Sequence, residues 1–136
     1  MLNKAMLFIF LVIIQNAYAE LECTDKGQIR YYVKRKEILE KASYCTDVKR
    51  IILVSKECYQ SKCYNKFKNV EVDLNDALES PIGNPSFELC RRLDGSPQII
   101  EFKMQGQWFS LDRCLFDEGQ WFVDAGYLFK LVKIKD

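Results

Sequence analysis

The stretch NPSFELCRRLDGSPQIIEFKMQGQWFSLDRCLFDEG, residues 84–119, decides the fold of this chain. Asn84 is a favourable N-cap because its side-chain oxygen accepts an amide hydrogen of the first turn, and Pro85 suits the first helical position, where no amide donor is needed. Apolar residues then recur at helical spacing, and Gly95 suits the left-handed conformation that ends many helices. We therefore expect a short capped helix near residues 85–94.

The apolar spacing becomes alternating after this helix. Ile100, Phe102 and Met104 alternate with charged residues, which is typical of a half-buried strand. Gln105-Gly106 provides the glycine that a tight two-residue turn favours, and the extended pattern resumes over residues 108–116. The sequence therefore predicts an antiparallel hairpin here.

Short motifs in this region match a known family in order and in most spacings. They are Asn84-Pro85-Ser86, Cys90 with Gly95 five residues later, Gly106-Gln107-Trp108, Cys114-Leu115-Phe116, and Gly119. Residues 84–129, about a third of the chain, resemble a bacterial secreted family of unknown function that is often labelled haemolysin. Members carry two more cysteines after the position of Cys114, whereas this chain has Phe122 at the nearer position and lacks the second family disulfide. The resemblance implies export more than a mechanism.

The first residues have the pattern of a secretory signal peptide, which we assign to residues 1–19. Lys4 precedes an apolar run over residues 5–14, which is shorter than the roughly 20 residues that span a bilayer. Ala17-Tyr18-Ala19 places small residues where signal peptidase cleaves. We expect a mature chain that begins at Glu20 and is periplasmic or secreted, and a retained N-terminal anchor is the less favoured alternative.

The six cysteines all follow this segment. An even number of cysteines in an exported chain predicts a disulfide framework before it predicts a metal site. Our first choice of pairs is Cys90 with Cys114, Cys58 with Cys63, and Cys23 with Cys45. Cross-pairing among the four N-terminal cysteines remains open.

The region between the signal peptide and the helix has weaker patterns. We favour strands over residues 28–34 and 41–45, with a helix over residues 36–42 as a nearly equal alternative, because β-branched alternation competes there with strong helix formers. Further strands are expected over residues 50–55 and 68–74, with a local disulfide loop between them.

Turn-forming residues divide the chain. Residues 76–84 contain proline and glycine and are expected to form a loop. This loop separates an N-terminal cysteine-containing subdomain, residues 20–80, from a C-terminal helix-hairpin module, residues 81–136. The C-terminal tail, residues 120–135, is rich in aromatic residues and fits either two short strands broken at Asp124-Ala125-Gly126 or a final helix. Together these elements predict a small disulfide-stapled α+β domain, mainly antiparallel strands with one short capped helix.

Charge is unevenly distributed along the mature chain. Basic side chains outnumber acidic ones over residues 20–70, and the reverse holds over residues 71–136. In the basic half, Lys34, Arg35 and Lys36 are candidates for an electrostatic contact with anionic envelope polymers or lipid headgroups. The simpler alternative is that the two halves attract each other or are solvated.

The chain contains no histidine. Histidine-dependent nucleophile pairs and ordinary catalytic zinc sites are therefore excluded, and cysteines in disulfides are not nucleophiles. Carboxylate chemistry remains, because Glu101, Asp112, Asp117 and Glu118 could supply the pair that a glycosidase needs, although many acidic surfaces offer as much. We predict no catalytic, cofactor or metal site.

The small size, the absence of histidine and the family resemblance favour an exported, non-catalytic protein that binds an envelope or extracellular partner. We expect an unidentified protein or an anionic envelope polymer as the partner, with a membrane surface as a further candidate. Nucleic acid is not expected, and we expect a monomer. The alternatives are a small envelope hydrolase that uses paired carboxylates and a haemolysin-like membrane-active protein.

Overall fold

The computed structural model describes residues 21–47, 49–78 and 83–136, so the expected signal peptide lies outside the described residues. The strands are β1 (Glu22–Val33), β2 (Lys36–Asp47), β3 (Ile52–Ser55), β4 (Glu71–Val72), β5 (Ser96–Met104), β6 (Gln107–Phe116), β7 (Trp121–Asp124) and β8 (Lys133–Ile134). The helices are α1 (Cys63–Phe67), α2 (Asn75–Leu78), α3 (Pro85–Arg92) and α4 (Leu128–Leu131), and a π-helical turn over Cys58–Lys62 leads into α1.

Six strands close into a barrel in the order β1-β2-β3-β7-β6-β5, and neighbouring strands in it are antiparallel. β4 and β8 form a separate parallel pair. Closure gives each barrel strand a neighbour on either side, which is one way of protecting sheet edges. The predicted predominance of antiparallel strands is confirmed, whereas closure into a barrel was not predicted.

Two apolar clusters lie on the two faces of the barrel wall. The inner cluster draws its buried residues from barrel strands alone: Ile29, Tyr44, Leu53, Ile100, Phe102, Met104 and Phe122. Successive residues of a strand point to opposite faces, so Cys45 and Val54, next to two of these residues, belong to the outer cluster. Apolar side chains on alternate positions of the strands thus fill the interior of the barrel, and those between them form an apolar layer on its outer face.

The helices cover the outer face of the barrel. Phe67 of α1 packs with its ring centroid 5.3 Å from that of Phe116, which points outward from β6. Leu89 of α3 and Leu128 of α4 are fully buried in the same cluster. Burying large apolar side chains between two layers is the main favourable term of folding, at roughly 25 cal/mol for each Å² of apolar surface.

Three disulfides tie this architecture together, and they join the same cysteines as our first choice from the sequence. Their pairs are Cys23–Cys45 between β1 and β2, Cys58–Cys63 across the π-helical turn, and Cys90–Cys114 between α3 and β6. The described residues contain no free cysteine.

The predicted capped helix is confirmed as α3. Asn84 Oδ1 accepts the amide hydrogen of Ser86 at 3.0 Å, and Pro85 is the first helical residue. The role that we expected of Gly95 is wrong, because Asp94 takes the left-handed conformation, with φ 65°. Gly95 is needed for space instead, since a β-carbon there would overlap Cys114 Sγ.

Four expectations about other segments need correction. The helix alternative for residues 36–42 is wrong, because they lie in β2. The expected loop over residues 58–63 is helical, so the fold has more than the one predicted helix. The strand expected over residues 68–74 shrinks to β4, and the tail contains both a strand and a short helix. The secondary structure of such short segments depends on how they pack against the barrel. Local sequence patterns do not reveal that packing.

The strands on either side of the predicted domain boundary belong to one barrel. β1 to β3 precede that boundary and β5 to β7 follow it, and both regions contribute to both clusters. Strands from both sides of the predicted boundary therefore share one barrel. Residues 79–82, where the boundary was placed, lie outside the described residues. Turn composition locates a bend in the chain but does not show which strands pair across it.

Within the described parts of the chain, no helix is both long enough and apolar enough to cross a membrane.

Candidate binding surface

The three basic residues singled out in the sequence lie at the tip of the β1–β2 hairpin. Val33 pairs with Lys36, so Lys34 and Arg35 form a two-residue turn. Both have positive φ, 49° and 67°. This turn geometry strongly favours Asn-Gly, and each bulky residue held in it costs on the order of 1 kcal/mol or more. Lys34 and Arg35 are therefore held in a backbone conformation that residues of their type disfavour.

This hairpin extends beyond the rest of the barrel wall. The β1–β2 ladder continues to its tip, whereas β1 pairs with β5 only at Ile29 and Arg30, and β2 pairs with β3 only from Tyr44 onward. Residues 31–39 are thus a two-stranded ribbon, and no third strand among the described residues pairs with them. We call these residues the hairpin arm.

Apolar side chains are exposed on the hairpin arm beside the basic tip. Tyr32, Val33 and Leu39 are 62%, 49% and 60% exposed. Ile99, on the neighbouring strand β5, is 68% exposed. The three basic residues at the tip are exposed as well, and Glu37 is the acidic residue of the arm. A cationic tip with large exposed apolar neighbours makes the hairpin arm a candidate interaction surface.

Two arginines hold the base of the arm, one on each face of the barrel wall. On the outer face, Arg30 Nη2 donates to Glu101 Oε2 at 2.8 Å, and its guanidinium stacks 4.1 Å from the Trp108 ring centroid. On the inner face, Arg113 Nη2 donates to Glu40 Oε2 at 2.9 Å. The hydrogen bond that Arg30 donates to the Glu101 carboxylate raises the pKa of Arg30. The arm therefore projects from a fixed base.

Arg113 is 2% exposed and was not among the residues predicted from the sequence to belong to a site. Its Nε and Nη2 atoms donate to Gln98 Oε1 at 2.8 and 2.7 Å, and its guanidinium lies 4.9 Å from the Phe122 ring centroid. A signal was present, because Arg113 follows Phe109 and Leu111 at intervals of two and so points into the barrel.

The four carboxylates considered for catalysis have separate structural surroundings. Glu101 pairs with Arg30, Asp112 Oδ2 accepts a hydrogen bond from Asn84 Nδ2 at 3.1 Å, and Asp117 Oδ2 accepts one from Trp121 Nε1 at 2.6 Å. Glu118 lies in the exposed turn after β6. No hydrogen bond or other described contact joins any two of the four.

Asp124 is the carboxyl group whose chemistry the structure alters most clearly. Burial raises its pKa to about 6. Its Oδ1 atom accepts amide hydrogens from Gly126 at 2.9 Å and from Tyr127 at 3.4 Å, which fixes the turn before α4. The residues that the structure describes hold no cluster of three or more His, Cys, Asp or Glu side chains suited to a metal ion.

Comparisons with protein families, with curated proteins and with solved structures give no match to this chain. The resemblance of residues 84–129 to the family labelled haemolysin therefore stays a prediction.

Proposed function

We propose that this is an exported, disulfide-stabilised, non-catalytic protein that attaches to an anionic lipid surface through its hairpin arm. The observation that carries the proposal is the Lys34-Arg35 turn, where two basic residues occupy left-handed positions beside exposed Tyr32 and Leu39. Backbone strain at a surface is a reason to look for a function of the side chains that are kept there.

The composition of the arm favours lipid over a soluble anionic polymer. A basic residue near an anionic bilayer contributes about 1 kcal/mol, and exposed apolar side chains beside it can enter the boundary between headgroups and acyl chains. Glu37 offsets part of the charge of the arm. A polymer would use the charges but would leave Val33 and Leu39 in water.

Export is supported by the covalent framework. Three disulfides are compatible with an oxidising periplasmic or extracellular compartment. The pattern of residues 1–19 supports the same location. An anionic leaflet facing that compartment would lie within reach of the arm.

The test is binding of the oxidised protein to vesicles of phosphatidylglycerol and phosphatidylcholine, measured by co-sedimentation. Wild-type protein should bind the anionic vesicles, and binding should weaken as salt rises because surface charge is screened. Replacing Lys34, Arg35 and Lys36 with Glu should lower the affinity about a hundredfold or more.

The matched control neutralises two exposed lysines in the C-terminal tail. Lys133→Gln/Lys135→Gln removes charge far along the chain from the arm and should leave vesicle binding near the wild-type level. Equal binding by the arm variant and by wild type would refute the proposal. So would binding to soluble anionic polymer but to no vesicle, since the partner would then be a polymer.

A further inference from the structure

A second surface of the molecule contains a groove that the hairpin arm does not explain. The groove has a volume of about 480 Å³ and lies beside α1 and α4. Buried residues of the outer cluster form its floor, among them Val54, Cys58 and Phe67. This volume is within the range of about 300–1,000 Å³ that is usual for small-molecule sites.

The charges around this groove have one sign. Its lining includes Arg50, Lys68 and Lys130, and within the described part of the chain it includes no Asp or Glu. Arg50 is neutralised by Asp47, whose Oδ2 atom lies 2.7 Å from Arg50 Nε. Lys68 and Lys130 have no salt-bridge partner among the described residues. The groove therefore presents two uncompensated cations over an apolar floor.

Tyrosines surround the same opening. Tyr59 and Tyr64 are 47% and 70% exposed although both are large and partly apolar. Lys68 lies with its Nζ atom 5.6 Å from the Tyr64 ring centroid. Tyrosine combines an apolar ring with a polar tip, so it suits the edge of a site whose ligand is apolar at one end and charged at the other.

We propose that this groove binds a small anionic amphiphile with one carboxylate and one apolar chain. The chain would lie on the floor formed by Val54 and Phe67, and the carboxylate would be held by Lys68 and Lys130. Charge complementarity carries the assignment, since a cationic ligand would meet two lysines without a carboxylate, and a neutral one would leave both lysines unused. The site is separate from the hairpin arm in both position and ligand.

The test is calorimetric titration of the oxidised mature protein with laurate below its micelle concentration. Saturable binding is expected, with dodecyltrimethylammonium as a comparator of similar chain length that should not bind. Lys68→Gln/Lys130→Gln should weaken laurate binding at least tenfold, because the charge-assisted contacts are lost. Tyr64→Ala should weaken it severalfold, and since Tyr64 is exposed this variant should fold normally.

Two controls locate the binding. Lys133→Gln/Lys135→Gln should keep wild-type affinity for laurate, and so should Lys34→Asn/Arg35→Gly, because both leave the groove unchanged. Loss of laurate binding in the arm variant would place the site at the arm and overturn the inference while leaving the vesicle proposal intact. Unchanged affinity in the Lys68/Lys130 variant, or equal binding of the cationic amphiphile, would also overturn it. So would a dimer that laurate dissociates, since the groove would then accommodate a second copy of the chain.

Discussion

At the scale of single residues, the end of α3 is the sharpest departure from what the sequence predicted. Asp94 takes the left-handed conformation that we assigned to Gly95, and Gly95 instead leaves room for the Cys90–Cys114 disulfide. The left-handed position therefore lies one residue earlier than expected, and Gly95 has a packing role instead. A glycine can be required either because its backbone adopts positive φ or because a neighbouring group leaves no room for a side chain. The sequence alone does not show which of these reasons applies.

Substitutions at these two positions should act in opposite directions. Asp94→Gly should stabilise the protein by up to about 1 kcal/mol because glycine adopts positive φ without strain. Gly95→Ala should destabilise it by about 1–3 kcal/mol because the added carbon overlaps Cys114 and crowds Phe116. Urea denaturation measures both. A stabilising Gly95→Ala would contradict the assigned packing.

Asp124 should make stability depend on pH in a direction unusual for a carboxylate. Burial raises its folded pKa from 3.8 to about 6, so the folded state binds the proton more tightly than the unfolded state does. Stability from this group is therefore present below about pH 4 and is lost as pH rises through about 6. The loss is on the order of 3 kcal/mol.

The variant Asp124→Asn isolates this effect because it keeps an oxygen that can accept the amides of Gly126 and Tyr127. Between pH 4 and pH 7, the free energy of unfolding of wild type should fall by more than that of this variant, because only wild type contains the Asp124 carboxyl group. An identical pH difference in the two proteins would show that Asp124 does not titrate in this range.

At the scale of elements, the disulfides should contribute according to the ring that each one closes. Cys90 and Cys114 are 24 residues apart and Cys58 and Cys63 are 5 apart. In the chain-entropy model the larger ring stabilises by about 3–4 kcal/mol and the smaller by about 2. Paired alanine variants measured by urea denaturation should follow that order. The reverse order would mean that local helix strain or packing dominates.

The turn of the hairpin arm should be more stable with residues that its backbone favours. Lys34→Asn/Arg35→Gly replaces two strained residues with the pair preferred at positive φ, and should raise the free energy of unfolding by about 1–2 kcal/mol. Thermal unfolding followed by circular dichroism measures this. A lower melting temperature would show that the side chains at the tip stabilise the arm, and the argument from strain would then fail.

The elements that the sequence predicted well are those with local causes. The cap at Asn84, the turn at Gln105-Gly106 and the strand alternation around Phe102 depend on neighbours within a few residues, and all three are present. The β2 strand was ambiguous because Lys36 to Ala42 are good helix formers, and pairing with β1 decides the outcome. Contacts between residues that are far apart in the sequence produce no periodic pattern from which they could be predicted.

At the scale of the whole molecule, closure of the barrel is what the sequence could not reveal. It depends on β1 meeting β5, where Arg30 lies opposite Glu101, 71 residues away. In the part of the chain that the structure describes, the same barrel leaves the hairpin arm as a two-stranded ribbon. It also places Arg113 on the inner face, where it contacts Glu40 at the base of the arm. The basic cluster was visible in the sequence, but its place on a projecting arm with exposed apolar neighbours was not.

The measurement that tests the central claim most directly is vesicle binding by Lys34→Asn/Arg35→Gly. The account predicts that this variant melts at a higher temperature than wild type and yet binds phosphatidylglycerol vesicles about thirtyfold more weakly, because two basic contacts worth about 1 kcal/mol each are lost. The Lys133→Gln/Lys135→Gln control should bind as wild type does. A stabilised arm variant that binds anionic vesicles with wild-type affinity would contradict the account, because the strained basic tip would then have no part in attachment.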